Sequence, residues 1–360
     1  MKNLKYSSFF WFVFLVAIVA LSLFLYSPPQ ETEAPKVENE PEKQITGFQP
    51  NLLSWEEATS SFRWRPRDSA ASAVFKNKMW TMGGLEGGEV LLENHVVRYW
   101  EAPHFNDIWY SEDGLSWNIA KEHAEWPVRR SMSVIPFKDK LWMFGGWSPI
   151  TGYTSDVWQS DDGAFWKKVV VDAPWPAREG QSAEVFQGKL WFFGGVNYDE
   201  RKVQNDVWYS EDGLLWSKAT ATIPWFPRWD HATAIFNGKI FLAGGMNLSG
   251  DTFGDVWSSA DGLVWELVTS SPSWQTRQGH SLAVFHGLLW IVGRLNDGIL
   301  GDVNDIWYSS DGAVWQKTDS DPPWMGREDH STLVFNERIY IFGGMGSDWR
   351  WKNDVWFSSK

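Results

Sequence analysis

One arginine recurs six times along the chain, shortly after a tryptophan in a Pro-Trp-x-x-Arg element or a close variant. The six copies are Arg67, Arg129, Arg178, Arg228, Arg277 and Arg327. Guanidinium groups bind carboxylates through paired hydrogen bonds, so arginines around the mouth of a channel would suit an acidic ligand. An aspartate also recurs six times, at Asp107, Asp156, Asp206, Asp255, Asp305 and Asp354. We favour a structural pairing of each arginine with one aspartate, because six unpaired like charges would repel one another.

The residues next to these arginines differ between copies, as binding residues do. They are Asp68, Arg130, Glu179, Trp229, Asp230, Glu328 and Asp329. His231, His280 and His330 share one position in adjacent copies, and a shared position indicates packing more than metal ligation. We therefore predict no metal site and no cofactor.

Composition excludes several classes of chemistry. The chain has no cysteine, which rules out disulfides, thiolate metal sites and a cysteine nucleophile. Its formal net charge is −13 and no block of lysine or arginine occurs, so nucleic acid is a poor candidate partner. The 28 tryptophans and 31 glycines indicate one structural unit repeated several times.

The elements that must position these residues form such a repeat. The Asp-Val-Trp elements, each following a Gly-Gly pair or a variant of it, are 49 or 50 residues apart. Each copy contains four short runs of β-branched and aromatic residues and no helical period. In the third copy the runs are Ser182–Phe186, Lys189–Phe193, Val207–Ser210 and Trp216–Ala219. The pattern predicts an all-β fold, a six-bladed β-propeller of four-stranded antiparallel blades over residues 49–360.

The ends of the chain predict how the ring closes. The last copy stops after its third run, at Val355–Ser358. Trp55 precedes Arg67 by twelve residues, as Trp117 precedes Arg129. Residues 52–57 should therefore form the outer strand of blade six and leave no free sheet edge.

The repeat resembles the kelch family, including the central domain of galactose oxidase, over about Asn51 to Lys360. The resemblance rests on the glycine pair, the tryptophan about a dozen residues later and the Arg-x-x-His start, as at Arg228 and His231. The Ser-x-Asp-Gly-x-x-Trp turns, such as Ser111–Trp117, resemble a shortened Asp-box of sialidases. We expect these turns to be structural, because aspartate bonds its own backbone and glycine accepts positive φ.

The amino terminus predicts export. Residues 9–26 are apolar apart from Ser22, follow two lysines and suit a membrane anchor or a signal peptide, of which we favour the anchor. Residues 1–8 would then be cytoplasmic and the propeller would lie on the periplasmic or extracellular side. The propeller would be secreted if the segment is cleaved. Residues 27–48 are rich in proline and glutamate and should form an extended spacer.

One face of the predicted propeller carries the variable loops and the arginine segments. Five tryptophans outside the repeat positions fall there, namely Trp100, Trp147, Trp229, Trp349 and Trp351. They are joined by Tyr99, Tyr153 and Tyr198, and the first copy has a longer loop, 85–106, which also contains Arg98. Two interpretations stay open: the rings form a binding platform, or they cover their own loops.

We expect a non-catalytic domain that binds a glycan or a protein through this face. The alternative is a carbohydrate-active enzyme. The copper-radical chemistry of galactose oxidase needs a cysteine-modified tyrosine, which this chain cannot form. A sialidase-like hydrolase or a sugar mutarotase would need acid and base groups that no spacing singles out.

Overall fold

The computed structural model describes residues 47–59, 63–87, 99–219, 223–293 and 304–360. The predicted membrane segment 9–26, the spacer up to residue 46 and Arg98 lie outside these residues. Across the described ranges there is no helix with the length and apolar character needed to cross a bilayer. The only helical element in them is a 3-10 turn at Pro50–Leu52.

Six four-stranded antiparallel sheets form the predicted six-bladed propeller. From its first strand to its fourth, blade one contains β2(Ala71–Phe75), β3(Lys78–Met82), β4(Ile108–Ser111) and β5(Asn118–Lys121). Blade two contains β6(Ser133–Phe137), β7(Lys140–Phe144), β10(Val157–Ser160) and β11(Lys167–Val170). Blade three contains β12(Ser182–Phe186), β13(Lys189–Phe193), β16(Val207–Ser210) and β17(Ser217–Lys218). Blade four contains β18(Ala232–Phe236), β19(Lys239–Ala243), β20(Val256–Ser259) and β21(Glu266–Thr269). Blade five contains β22(Ser281–Phe285), β23(Leu288–Val292), β24(Ile306–Ser309) and β25(Gln316–Lys317). Blade six contains β27(Ser331–Phe335), β28(Arg338–Phe342) and β30(Val355–Ser358), and its fourth strand is β1(Trp55–Thr59).

Three short two-stranded ladders extend the loops of the variable face. Two are hairpins, formed by β8(Trp147–Ser148) with β9(Gly152–Tyr153) and by β14(Val196–Asn197) with β15(Lys202–Val203). The third pairs β26(Arg327–Glu328), which precedes the first strand of blade six, with β29(Met345–Gly346), which follows the second. The first strands of successive blades pack side by side around the axis, and β2 packs against both β6 and β27.

The sequence of each blade explains its strands. The second strands, such as Lys140–Phe144, have one half-buried lysine or equivalent followed by four buried residues, because this strand is covered by blades on both sides. Two-residue turns join the first and second strands, and in blade one Lys76 and Asn77 both have positive φ, 49° and 55°. That geometry matches the right-handed twist of the flanking strands.

The first described strand closes the ring. β1 pairs antiparallel with β30, with Trp55 opposite Ser358 and Glu57 opposite Trp356. The strand begins at Trp55 and not at Leu52, because Pro50–Leu52 turn as a 3-10 helix before it. Phe48, assigned to the spacer by composition, packs edge-on against Phe285 of blade five with ring centroids 5.6 Å apart.

All six arginines pair with the aspartates, as predicted. In the second blade Arg129 Nη1 and Nη2 donate to the two carboxylate oxygens of Asp156 at 2.8 and 3.1 Å, and Nη1 also donates to the carbonyl oxygen of Gly145. The same aspartate accepts a hydrogen bond from the Trp158 indole at 2.8 Å. The arginine side chains are at most 4% exposed, so they lie inside the blades and do not line the mouth of the channel.

The Asp-Gly turns are structural. In the second blade the Asp162 carboxylate accepts hydrogen bonds from the amides of Ala164 and Phe165, both at 2.9 Å. A side chain at Gly163, where φ is 89°, would come within 2.6 Å of the Trp80 ring in the preceding blade. The turn therefore needs glycine both for its backbone and for close packing between blades.

Candidate functional site

A closed ring of backbone hydrogen bonds surrounds the propeller axis. Its members each lie two positions after a recurrent arginine: Ser69, Ser131, Gly180, Asp230, Gly279 and Asp329. All six have left-handed φ between 50° and 67°. The amide of each member donates to the carbonyl oxygen of the corresponding residue in the preceding blade, at 2.8 to 3.3 Å, and Ser69 completes the circle by donating to Asp329. The ring fixes the side chains that flank it.

A cavity of about 600 Å³ lies over this ring on the variable face. Six aromatic side chains of the described residues line it: Tyr99, Trp100, Trp147, Tyr153, Tyr198 and Trp229. They come from the loops of blades one to three and from the segment before the first strand of blade four. Such a volume is typical of sites for small ligands.

Contacts between neighbouring blades hold the aromatic rings in place. Trp147 pairs with Tyr153 across the hairpin of β8 and β9. The Tyr153 hydroxyl accepts a hydrogen bond from the Tyr198 amide at 3.1 Å. The Tyr198 and Trp229 rings meet edge to face, with centroids 5.4 Å apart. The aromatic wall is thus continuous from blade two to blade four.

Arg130 joins the aromatic wall to the acidic part of the cavity. Its Nε and Nη2 donate to the two oxygens of Glu179 at 2.9 and 3.1 Å. Its guanidinium carbon also lies over the Tyr99 and Trp147 rings, 5.2 and 5.0 Å from their centroids. Arg130 is therefore a positioned side chain and not a freely moving surface charge.

Acidic side chains of blades four and six also line the cavity. Asp230 belongs to blade four, and Glu328 and Asp329 belong to blade six. Burial and the repulsion of neighbouring carboxylates raise the pKa values of Asp230 and Glu328 well above their usual range. Burial also raises the pKa of Asp329 to about 6, although the Ser69 hydroxyl donates a hydrogen bond to it at 3.1 Å. These carboxyl groups therefore hold protons at a higher pH than exposed ones.

A narrower channel continues below the ring. It has a volume of about 160 Å³, and its wall includes His231, His280, His330 and Gln181. Burial lowers the pKa values of His231 and His330 to about 3, so both imidazoles are neutral near pH 7. Among the described side chains, no three histidine, aspartate or glutamate residues are placed to hold one metal ion.

Most of the predicted binding residues line the cavity. Those brought together are Tyr99, Trp100, Arg130, Trp147, Tyr153, Glu179, Tyr198, Trp229, Asp230, Glu328 and Asp329. Trp349 and Trp351 do not line it: Trp351 is buried against Leu85, Ala102 and Met345, and Trp349 packs on the same cluster. Arg98 is not among the described residues.

Four lining residues were not singled out from the sequence, namely Ser69, Ser131, Asp199 and Gln278. Gln278 follows Arg277 directly, as Arg130 follows Arg129, so the repeat register alone would have identified it. Asp199 lies in a loop without such a register.

The fold and this cavity define a six-bladed propeller with a ligand-sized site at its axis. A sequence profile described as the KLHDC2/KLHL20/DRC7 Kelch-repeats domain matches residues 98–293 and, in a second alignment, residues 165–344. Because these matches cover more than half of the chain, the protein belongs to this kelch-repeat family, and the resemblance to kelch repeats is confirmed.

The comparison with solved structures concerns the fold alone. The structure titled "Structure of YjhT" is similar with a TM-score of 0.65 and 16% sequence identity, over 81% of this chain and 94% of that chain. No curated protein shows significant sequence similarity to this one.

Proposed function

We propose that the propeller binds a short glycan in the cavity of its variable face and acts as a non-catalytic recognition domain. One observation carries this proposal: a cavity of about 600 Å³ is lined by both aromatic side chains and carboxyl groups. The C–H face of a sugar ring packs on aromatic side chains while its hydroxyl groups donate to carboxylates. Trp147 and Trp229 would pack on the sugar ring, and Asp230 and Glu328 would accept hydrogen bonds from its hydroxyl groups.

The shape of the site supports a glycan over a folded protein. Stable protein interfaces bury about 1,200–2,000 Å² over a broad surface. Here the aromatic rings face a concave site of the size used for small ligands, and only Trp100 and Tyr198 among them are strongly exposed, at 58% and 43%. A protein would have to insert a single segment to reach Trp229.

A glycan array tests the proposal. The full-length chain, purified in detergent, is compared with the double variant Trp147→Ala, Trp229→Ala and with Phe165→Ala. Phe165 is 67% exposed and lies in an Asp-Gly turn on the opposite face, so it is a matched aromatic control. We expect the double variant to lose at least tenfold in affinity for any glycan found, and the control to lose none. Equal binding by all three proteins rejects the cavity as the site.

A second candidate function is enzymatic. Carboxyl groups with raised pKa values can donate a proton near neutral pH, which the mutarotation or hydrolysis of a sugar requires. Asp230 and Glu328 have this property. The experiment is to follow the array-selected glycan by NMR with the wild type and Glu328→Gln. Turnover that the variant abolishes would replace the non-catalytic proposal with this one.

We also propose that the propeller is displayed outside the cytoplasmic membrane, tethered through residues 9–26. The support is the length and apolarity of that segment and the lysines before it. Protease treatment of spheroplasts, whose cytoplasmic membrane is intact, and of lysed cells tests it. Digestion only after lysis would contradict export.

A further inference from the structure

The charges of the described residues around the cavity are unbalanced. Among these residues the lining contains five carboxyl groups, of Glu179, Asp199, Asp230, Glu328 and Asp329, and one cationic group, of Arg130. Glu179 already accepts two hydrogen bonds from Arg130. Within the described ranges no cationic side chain forms an ion pair with the other four carboxyl groups. An anionic ligand would therefore find no free positive partner among these lining residues.

Two of these carboxyl groups, those of Asp230 and Glu328, have oxygen atoms to which no described group donates. Glu328 is 8% exposed, and Gln278 donates to its Oε2 atom. No described group donates to Glu328 Oε1 or to the side chain of Asp230. Both side chains line the cavity, so these acceptor atoms are available to a donor supplied by a ligand.

The aromatic wall suits a positive charge. The faces of tyrosine and tryptophan rings attract ammonium and guanidinium groups. The wall already accommodates one cation, since Arg130 lies over Tyr99 and Trp147. A bare metal ion fits less well, because no three carboxyl or imidazole groups in the described parts of the chain are placed to ligate one.

We propose that the cavity selects a sugar that carries a free ammonium group over its N-acetylated or acidic counterparts. This inference rests on the proposed binding of a glycan and adds the class of glycan. The ammonium group would donate hydrogen bonds to Asp230 and Glu328, and the sugar ring would pack on Trp229. Ammonium binding favours ionised carboxylates, so both carboxyl groups would release protons when the ligand binds.

The test uses a matched pair of ligands, the β-1,4-linked trimer of glucosamine and the trimer of N-acetylglucosamine. Affinities for the full-length chain in detergent are measured by calorimetry at pH 7.0 and pH 5.0. We expect the glucosamine trimer to bind roughly ten- to hundredfold more tightly at pH 7.0, as charge-assisted hydrogen bonds imply. Its affinity should fall at pH 5.0, where the carboxyl groups are protonated, and its binding heat at pH 7.0 should change with the ionisation enthalpy of the buffer.

Variants then locate the selectivity. Asp230→Asn and Glu328→Gln should each reduce the affinity for the glucosamine trimer about tenfold and that for the N-acetylglucosamine trimer by a smaller factor, because only the ammonium group forms charge-assisted hydrogen bonds with these carboxylates. Glu211→Gln is the control, because its carboxylate is exposed in an Asp-Gly turn of the other face. If circular dichroism shows that either cavity variant is unfolded, the affinities of the two trimers for the wild type decide whether the cavity selects the ammonium group.

The outcomes separate this inference from the proposed function. Equal affinity for the two trimers, or preference for the acetylated one, overturns the selection of an ammonium group and leaves glycan binding intact. If neither trimer binds, the selection of an ammonium group is also overturned. A glycan that binds the wild type on the array but not the double variant Trp147→Ala, Trp229→Ala would still support the cavity as a glycan-binding site.

Discussion

The amide of Ser69 donates a hydrogen bond to the carbonyl oxygen of Asp329 at 3.0 Å, across 260 positions of sequence. The Ser69 hydroxyl also donates to the Asp329 carboxylate at 3.1 Å. These contacts join blade one to blade six at the axis, while β1 and β30 join the first and last strands of the propeller at the rim. The propeller is therefore closed twice, and the inner closure lies directly below the candidate cavity.

This double closure explains why the cavity can be asymmetric. The backbone ring needs only a left-handed residue from each blade, and serine, aspartate and glycine all serve there. The side chains around it are free to differ between blades, since the ring bonds involve main-chain atoms alone. The sixfold scaffold thus presents aromatic groups from blades one to four and carboxyl groups from blades three, four and six.

The outer closure predicts a loss of stability on truncating Trp55. Its ring meets that of Trp324 edge to face, with centroids 4.7 Å apart, and packs on the core between blades five and six. Trp55→Ala should lower the free energy of unfolding by about 2–4 kcal/mol. Denaturant unfolding followed by tryptophan fluorescence measures this. Trp100→Ala is the control, because Trp100 is 58% exposed and should contribute little; equal losses would show that β1 does not hold the ring closed.

The buried ion pairs predict a larger effect. Asp156→Asn leaves the fully buried Arg129 without a charged partner and should cost about 3–5 kcal/mol. Asp161→Asn is the matched control, since Asp161 pairs with Lys140 but its side chain is 78% exposed, and such pairs contribute less than about 1 kcal/mol. Thermal unfolding of both variants at pH 7 compares them. Similar melting temperatures would contradict a stabilising role of the pair.

The ion pair of Arg129 and Asp156 also predicts how the stability of the protein changes at acidic pH. Burial raises the pKa of Asp156, but hydrogen bonds from Arg129 and its charge outweigh burial, so the pKa lies below its ordinary value. The ionised carboxylate therefore stabilises the fold above pH 4, and this contribution disappears as the pH falls through the lowered pKa. The stability difference between wild type and Asp156→Asn should shrink below pH 4; a constant difference down to pH 2 would contradict it.

Residues at repeated positions could be placed in the fold from the sequence, and residues in loops without a repeat could not. Arg129 and Asp156 recur together in every blade, so their pairing followed from copy number, and the residues beside the arginines, such as Asp230, were placed at the axis by the same register. The strand at Trp55 was predicted to start too early, because the sequence does not show the turn that follows Pro50. Trp349 and Trp147 could not be distinguished, since both lie in loops without a repeat and only packing directs one away from the cavity.

The Asp-Gly turns predict a packing effect that can be separated from backbone strain. Gly163 and Gly188 both have positive φ, 89° and 71°, but an added methyl group would strike the Trp80 ring only at Gly163. Both alanine variants should lose about 1 kcal/mol from strain. Gly163→Ala should lose about 1–3 kcal/mol more from overpacking. Urea unfolding measures the difference, and equal losses would show that the turn does not pack tightly on the preceding blade.

The buried Asp68 carboxyl group predicts that stability falls as the pH rises. Asp68 is 2% exposed, and burial together with the nearby Asp329 carboxylate raises its pKa from 3.8 to about 8. In this range the folded state retains a proton that the unfolded state releases, so the contribution of Asp68 is complete below pH 4 and is lost as the pH rises towards 8.

Asp68→Asn keeps the shape of the protonated carboxyl group and removes its titration. The wild type should therefore lose about 1 kcal/mol of stability per pH unit relative to this variant between pH 5 and pH 8. Melting temperatures at several pH values give the two slopes. Glu211→Gln, at an exposed site of the opposite face, should keep the slope of the wild type. If Asp68→Asn also keeps the slope of the wild type, the Asp68 carboxyl group does not hold a proton in the folded protein and must be ionised.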